Sequence, residues 1–489
     1  MLARHNWITP VLNGTPWLEK PALYYWSAML SYLVFGISDW AARIPSAVAA
    51  TAMTFGVYGF MRRFRPGAEL DAALIVASCA AMIGFARGAS TDMLLAATLT
   101  MAMLAWYAWL STTRRAWLAA FYVLLALGTL AKGPVAPLLA GLMVLAYAGA
   151  RRNFGIVRRT LFSPALLAFF VVALPWYIAV QIETPQFFRV FIFEHNLARF
   201  GTNLYRHRQP FWYYFPVLLL SVLPWTAYVA AAAVAGFRRS TDDSNQLPAF
   251  PTFLLLWIAV PLVFFSFSES KLPGYLLPGI PACGLLLADW MWRRLRSGQQ
   301  PGFVLNAIHS ALCGMLLAVA VVAPYTPAKV HVPGRAILVA AIAALVIFVA
   351  VLLTLRSQRL RMLRFVTLAP VVIAMALVVR GSAPVIDRVQ SARPVAADLT
   401  LLGTQHAAVA VFRVRRELEY GLTFYRNQPV LRYERGEVPA ADHLVIAPEG
   451  SQPQVEQQVV PRRVSRVGNF APQHLEFFWI SPPMHQHMH

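Results

Sequence analysis

Charge is what this chain has least of. Of its 489 residues, 21 are Asp or Glu and 42 are Lys or Arg, so 13% are charged and 58% are hydrophobic. A soluble chain of this length cannot cover its surface with so few charges, which excludes an ordinary water-soluble globular protein. Cysteine is scarce as well. Cys79, Cys283 and Cys313 all lie inside apolar runs and none has metal-ligand spacing, so they read as packing residues. There is no Walker loop, no glycine-rich dinucleotide turn and no CxxC pair, so the energy for any reaction must arrive with the substrate. The opening "MLARHNWITP" has no apolar stretch after its arginine and is not a cleavable signal peptide.

The net charge of +21 raises the question of nucleic acid. The arginines are not gathered on one face, however. They sit in short loops between apolar runs, where they fix membrane orientation instead. Apolar segments of spanning length fall at about residues 44–62, 70–86, 92–111, 116–131, 134–150, 163–182, 212–236, 250–267, 273–291, 303–324, 334–355 and 362–380. The expected fold class is therefore an all-α polytopic membrane protein of about twelve spans.

Alternate loops carry the cations. Arg62, Arg63 and Arg65 are followed by Arg114 and Arg115, then by Arg151, Arg152, Arg158 and Arg159. Arg238, Arg239, Arg293, Arg294, Arg296, Arg356, Arg359, Arg361 and Arg364 continue the set. The Arg-rich side is expected to be cytoplasmic. The N-terminus, the loop from Glu183 to Phe211, the "SESKLP" loop and all that follows Arg380 then face the other side.

Three regions follow. Residues 1–43 form an extracytoplasmic juxtamembrane segment, 44–380 the multi-span domain, and 381–489 a small C-terminal α/β domain outside the cytoplasm. The β-like runs "AVAVFRV" and "HLVIAP" support that last domain, with a loosely ordered tail as the alternative. The terminal "HQHMH" reads as a tail end or a metal-binding tract.

Orientation gathers scattered polar residues near one membrane face. Glu19 and Lys20 stand in "LNGTPWLEKPALYYW", and Arg87 and Asp92 in "FARGASTDMLL". Glu194, His195, Arg199, Arg206, His207 and Arg208 lie in the "FEHNLARFGTNLYRHRQPFWYY" loop, with Glu269 and Lys271 in "FSESKLPGYLLP". Charges at the membrane boundary are costly and are usually paired or functional. Snorkelling explains a lone arginine but not a set mixing carboxylates, histidines and cations with Trp17, Tyr24, Tyr25, Trp212, Tyr213 and Tyr214. Tyr213 and Tyr214 read first as an interfacial belt.

Such a set suits an anionic, lipid-linked substrate. Lysines and arginines hold phosphate oxygens and stabilise charge on a phosphate that leaves. Asp92 has two readings: a carboxylate that orients or deprotonates a sugar group, and an N-cap of the following helix. Glu19 with His195 or His207 has metal-compatible residue types, but an ion pair with Lys20 or an arginine is equally open.

At this point "LNGTPWLEKPALYYW", "SDWAARIPSA", "EHNLARF", "HRQPFWYYFP" and "SKLPGYLLPGIPA" together resemble a known family. They look like the bacterial polyprenyl-phosphate-sugar glycosyltransferases of GT-C type, which include dolichyl-phosphate-mannose-protein mannosyltransferase-like proteins. Within them the likeness is to the ArnT-like group, which moves 4-amino-4-deoxy-L-arabinose from undecaprenyl phosphate to lipid A. The resemblance implies thirteen spans, a large cavity at the periplasmic face of the bacterial inner membrane, and no nucleotide-sugar donor. By resemblance, Lys20 contacts the donor phosphate and Tyr24 or Tyr25 lines the cavity. Arg208 and Lys271 would be further phosphate or lipid A contacts, Glu19 and His207 would match holders of a structural divalent ion, and Asp92 would be the second active-site acid. Arg87, Glu194 and Arg199 complete the expected substrate-binding set. No cofactor is required, and a divalent ion is the one that could be present.

The chain departs from the family pattern at two places. Ala22 stands where a second proline is common. Relatives also begin with one more span and an Asp-Glu stretch that supplies the principal carboxylate, whereas this chain starts at "MLARHNWITP", within what would follow it. An internal methionine taken as the start, or a truncated gene, would account for that, and activity from this N-terminus would then be in question. Two other functions stay open: transfer of another polyprenyl-linked sugar to protein or glycan, and transport or lipid flipping. The last lacks the paired broken helices of two similar halves, and "AKGPVAP", beside Lys132, is the one Pro/Gly break at membrane depth.

Overall fold

The computed structural model describes residues 1–489 except 13, 199–208, 243–248, 328–329, 405–406 and 483–489. The chain forms two compact units. One comprises Met1–Leu316 with Ala344–Val371, the other Leu317–Ala343 with Val372–His489.

The first unit opens with a small antiparallel hairpin, β1 (Val11–Leu12) and β2 (Thr15–Pro16). Helices α1 (Leu23–Phe35), α2 (Asp39–Phe64), α3 (Glu69–Ser78), α4 (Ala80–Ala86) and α5 (Thr91–Thr112) follow. Next come α6 (Arg115–Lys132), α7 (Val135–Ala150), the short α8 (Gly155–Leu161), α9 (Leu166–Glu183) and a π-helical segment Arg189–Ala198. Then α10 (Tyr214–Ser221), α11 (Thr226–Asp242), α12 (Phe250–Ser266), a 3₁₀ stretch Pro273–Gly279 and α13 (Ile280–Ser297). The chain continues through α14 (Phe303–Val322), α15 (Gly334–Gln358) and α16 (Leu363–Leu377), which reach into both units.

All twelve apolar stretches lie on these elements, but they are not twelve uniform spans. Seven described helices are long and apolar enough to cross a membrane, and two further stretches qualify only as bent pairs. These are α3 with α4, meeting at 68°, and Phe211–Ser221 with Thr226–Arg238, meeting at 113°. Helices α7 and α12 are apolar but shorter, and residues 273–291 divide between the 3₁₀ stretch and α13. Helix α1 has no counterpart among the twelve stretches. Its 13 residues rise only about 20 Å, short of a hydrocarbon core of about 30 Å.

The two bends meet each other. At Cys79 the backbone turns extended, which frees the Ala80 N–H from its helix, and Leu223 O accepts it at 3.0 Å. Trp225 Nε1 donates to Ser78 Oγ at 2.9 Å across the same junction. Backbone groups released at membrane depth thus find partners within the protein, without which a break there would cost several kcal/mol.

Helix α5 is the centre of the unit, with 89% of its apolar window buried. Its alanines let neighbours approach closely, the usual way helices pack where lipid removes the hydrophobic driving force. A Cβ added to Gly128 of α6 would stand 3.0 Å from Thr98 Oγ1 of α5. Buried aromatics fill the rest of the core, among them Trp106, Tyr147, Phe250, Phe253 and Trp257.

At the end of the helices where α2 stops and α3 starts, two buried carboxylates are held by arginines. Asp289 accepts from Arg65 Nε at 2.9 Å and from Arg293 Nε at 2.7 Å, and its side chain is 3% exposed. Asp71 accepts from Arg364 Nη1 at 2.9 Å. Chain direction brings the Arg-rich loops to this same end.

The second unit contains the C-terminal α/β domain. After α17 (Ala383–Gln390) and α18 (Ala392–Leu401), β3 (Ala408–Val411) leads through α19 (Arg416–Arg426) to β4 (Val430–Arg432). β5 (His443–Pro448), α20 (Gln452–Val459), β6 (Arg463–Phe470) and β7 (Leu475–Ser481) complete it. The five-stranded sheet has the order β4-β3-β5-β7-β6, parallel among β4, β3 and β5 and antiparallel beyond. Alternation along the strands feeds a core on each face: Val409, Leu444 and Phe477 meet Leu399 and Leu422, while Ala410, Val445 and Phe478 meet Val455. The runs "AVAVFRV" and "HLVIAP" are thus strands of a packed domain, not a loose tail. "HQHMH" lies outside the described residues.

Candidate active site

The helix ends opposite the arginine-held carboxylates gather the polar residues singled out in the sequence. Ser90 caps α5, its Oγ accepting from Asp92 N at 3.2 Å. The cap is therefore Ser90, and Asp92 sits in the first turn with its carboxylate not used for capping. That carboxylate is bound by Lys132 Nζ, from the last residue of α6, and accepts from Ser90 Oγ at 3.3 Å. The ammonium also stands 4.9 Å from the Tyr275 ring, a cation–π contact. Carboxylate, ammonium and aromatic ring come from three separate segments of the chain.

Two glycines allow this convergence. Gly133 ends α6 with φ +89°, and a Cβ there would lie 2.6 Å from Phe191 Cζ. Gly274, beside Tyr275, lies so close to α4 that a Cβ would meet Phe85 Cζ at 2.7 Å and Asp92 Cγ at 3.5 Å. Any side chain at position 274 would force apart the group around Asp92.

The Glu19–Lys20 loop is held at the same end of α6. Leu18 and Ala22, on either side of the pair, are buried with Leu130, Trp176, Tyr177, Val180, Phe187 and Phe191. The chain before the loop is tied to α9: Trp176 Nε1 donates to Ile8 O at 3.0 Å, and Thr9 Oγ1 donates to the Glu183 carboxylate. Tyr25 stands by Glu19 and hydrogen-bonds with Trp17. Burial, and then the Glu19 charge, push its hydroxyl above the usual tyrosine range, so it stays an O–H donor.

The other expected residues divide. Tyr24 gives its hydroxyl to Ala42 O at 2.9 Å, bracing α1 on α2. Lys271 is buried, and its ammonium donates to Ser268 O at 2.5 Å within its own loop. Tyr214 is not a belt residue: it is buried and donates to Leu272 O at 3.1 Å, while Trp212 remains exposed. Arg87 is exposed at the end of α4, and Glu194 is half exposed, 3.7 Å from Arg189. Arg199, His207 and Arg208 lie outside the described residues. Among the described residues no three His, Cys, Asp or Glu side chains group as a metal site, and His207, the expected partner of Glu19, is outside them.

Lys132 was not singled out in the sequence, where it passed as part of a Pro/Gly break. One signal was available. The chain has only four lysines, Lys20, Lys132, Lys271 and Lys329, and the first three fall at this end of the helices.

Comparison with known proteins starts from the same segments. Residues 19–188 match the family model for dolichyl-phosphate-mannose-protein mannosyltransferases. An undecaprenyl phosphate-alpha-4-amino-4-deoxy-L-arabinose arabinosyl transferase of Serratia proteamaculans is 31% identical over 66% of this chain and 58% of its own length. The enzyme of that name from Enterobacter sp. is 28% identical over 87% of this chain and 81% of its own. A crystal structure of ArnT from Cupriavidus metallidurans bound to undecaprenyl phosphate superposes with a TM-score of 0.75, at 21% identity, over 98% of this chain and 91% of that one. The chain shares the fold of that ArnT and is similar in sequence to the arabinosyl transferases. It is a multi-span membrane protein. It spans little more than half the length of several relatives it matches, such as 58% of the Serratia protein and 54% of one from Pseudomonas aeruginosa.

Proposed function

We propose that this protein is an integral-membrane glycosyltransferase that moves 4-amino-4-deoxy-L-arabinose from undecaprenyl phosphate to a lipid A phosphate. The observation that carries the reading is the Asp92–Lys132 pair under Tyr275, packed at the same end of α6 as the Glu19–Lys20 loop. A single bundle end thus offers two ammonium groups, two carboxylates and aromatic faces beside apolar helices. That suits a sugar joined to a membrane-anchored phosphate. The relatives named as arabinosyl transferases support the choice of sugar and donor.

In the proposed reaction an oxygen of the lipid A phosphate attacks the anomeric carbon. The bond from that carbon to the undecaprenyl phosphate oxygen breaks with its electron pair, leaving undecaprenyl phosphate and an inverted sugar. The nucleophile is already anionic, so little base is needed. The leaving phosphate needs cations, supplied by Lys20 with Arg208. Asp92, held in place by Lys132, orients a sugar hydroxyl or the sugar amine. No step runs through a metal ion. The arginine asymmetry supports the periplasmic face of the inner membrane for this end, and the periplasm for the C-terminal domain.

Lys20→Ala is expected to lower transfer by about a hundredfold or more. The test expresses the protein in a strain lacking its own transferase and weighs lipid A for an added aminopentose. Near-normal modification by the variant would remove Lys20 from the reaction. The match to protein mannosyltransferases favours one second reading, a protein acceptor. It would show as glycosylated membrane protein with unmodified lipid A.

A further inference from the structure

A cavity of about 610 Å³ lies at the arginine-rich end of the first unit, away from Asp92. Its lining includes Gln300, Phe303, Asn306, Leu352, Leu355 and Arg356, from the start of α14 and the end of α15. Asn306 is 8% exposed, and its Oδ1 accepts from Tyr228 Oη at 2.5 Å. Gln300 Oε1 accepts from Leu360 N at 3.2 Å. Both amides therefore use their oxygens inside the protein, and among the described residues neither side-chain nitrogen has an acceptor. Arg356 has no carboxylate within ion-pair distance among the described residues. The acids of this end, Asp71 and Asp289, are already engaged by other arginines.

The polar lining is thus a set of N–H donors around one unpaired guanidinium, which calls for an anion with several acceptor oxygens. The remaining lining is apolar and continues onto an exposed apolar face: Phe303 is 61% and Leu353 59% exposed. Only 17% of the apolar window of α15 is buried. An anion that brings hydrocarbon with it fits both halves. We propose that this cavity binds an anionic phospholipid of the leaflet at the arginine-rich end. Its phosphate lies against Arg356, Gln300 and Asn306, and its acyl chains lie along Leu352, Leu355 and Phe303. The site is separate from the proposed transfer reaction and does not depend on it.

The test uses the purified full chain in neutral detergent and titrates phosphatidylglycerol and phosphatidylcholine by native mass spectrometry. Phosphatidylglycerol is expected to bind the more tightly. Arg356→Glu should weaken it by about five- to tenfold, the scale of one interfacial cation lost and one charge reversed. Arg356→Gln serves if the reversal fails to fold, with a smaller loss expected. Arg114→Glu reverses an exposed arginine of the same end outside the cavity and should change binding less than about twofold. Equal losses in Arg114→Glu and Arg356→Glu would mean general surface attraction and overturn the proposal. Competition by glycerol phosphate as strong as by the lipid would also overturn it, by making this a phosphate site alone.

Discussion

Lys132→Ala is expected to lower sugar transfer by about a hundredfold or more in a protein that still folds, the effect of removing one preorganised charge from a reacting site. The substitution leaves the Asp92 carboxylate with the Ser90 hydroxyl as its one side-chain partner among the described residues and removes the cation from the Tyr275 ring. Lys132 and Asp92 act as a pair, so their losses are not expected to add. Asp92→Asn combined with Lys132→Ala should be no slower than the slower single variant. Rates of aminopentose transfer in membranes, normalised to folded protein, measure both. Fully additive losses would mean that the two residues act separately.

Asp289→Ala is expected to destabilise the protein by about 3 kcal/mol, because it strands two arginines against one emptied site. Arg65 and Arg293 are both partly exposed, 22% and 29%, so water screens them and the cost stays at the lower end of the range for broken buried pairs. Arg65 also stacks 5.1 Å from Phe250 and 5.5 Å from Trp292, and those contacts keep it in place without its partner. Asp289→Asn keeps a hydrogen-bond acceptor and should cost less. Detergent-solubilised protein followed by thermal unfolding gives the ranking. Transfer per folded molecule should be unchanged, since Asp289 lies at the other end of the helices from Asp92. A loss of activity without a loss of stability would contradict that separation.

Much of this architecture is legible in composition alone. Apolar runs have no other use at such length, and all twelve lie on helical elements of the structure. What the runs conceal is where a helix breaks. Cys79 offers no proline or glycine to mark the 68° bend, because the bend is stabilised by Leu223 and Trp225, about 145 residues later in the chain. Helix α1 is hidden differently: it is too short to register as a span.

The site was legible as chemistry more than as geometry. Asp92 stands out as an acid at a helix start, but its partner Lys132 is 40 residues away and surrounded by apolar sequence. Only the rarity of lysine pointed to it. Tyr24 and Tyr25 are neighbours of identical type, yet one braces a helix and the other faces Glu19, a division set by helix rotation. Lys271 has the composition of a phosphate ligand, and in the fold its ammonium closes its own loop on Ser268.

The most direct measurement is binding of undecaprenyl phosphate to purified protein, for the wild type, Lys20→Ala and Lys132→Ala. Lys20→Ala is expected to weaken binding by about tenfold or more, whereas Lys132→Ala, which acts on the sugar through Asp92, and Arg114→Glu at the opposite end should change it less than about twofold. Wild-type affinity in Lys20→Ala would contradict a phosphate site at the Glu19–Lys20 loop.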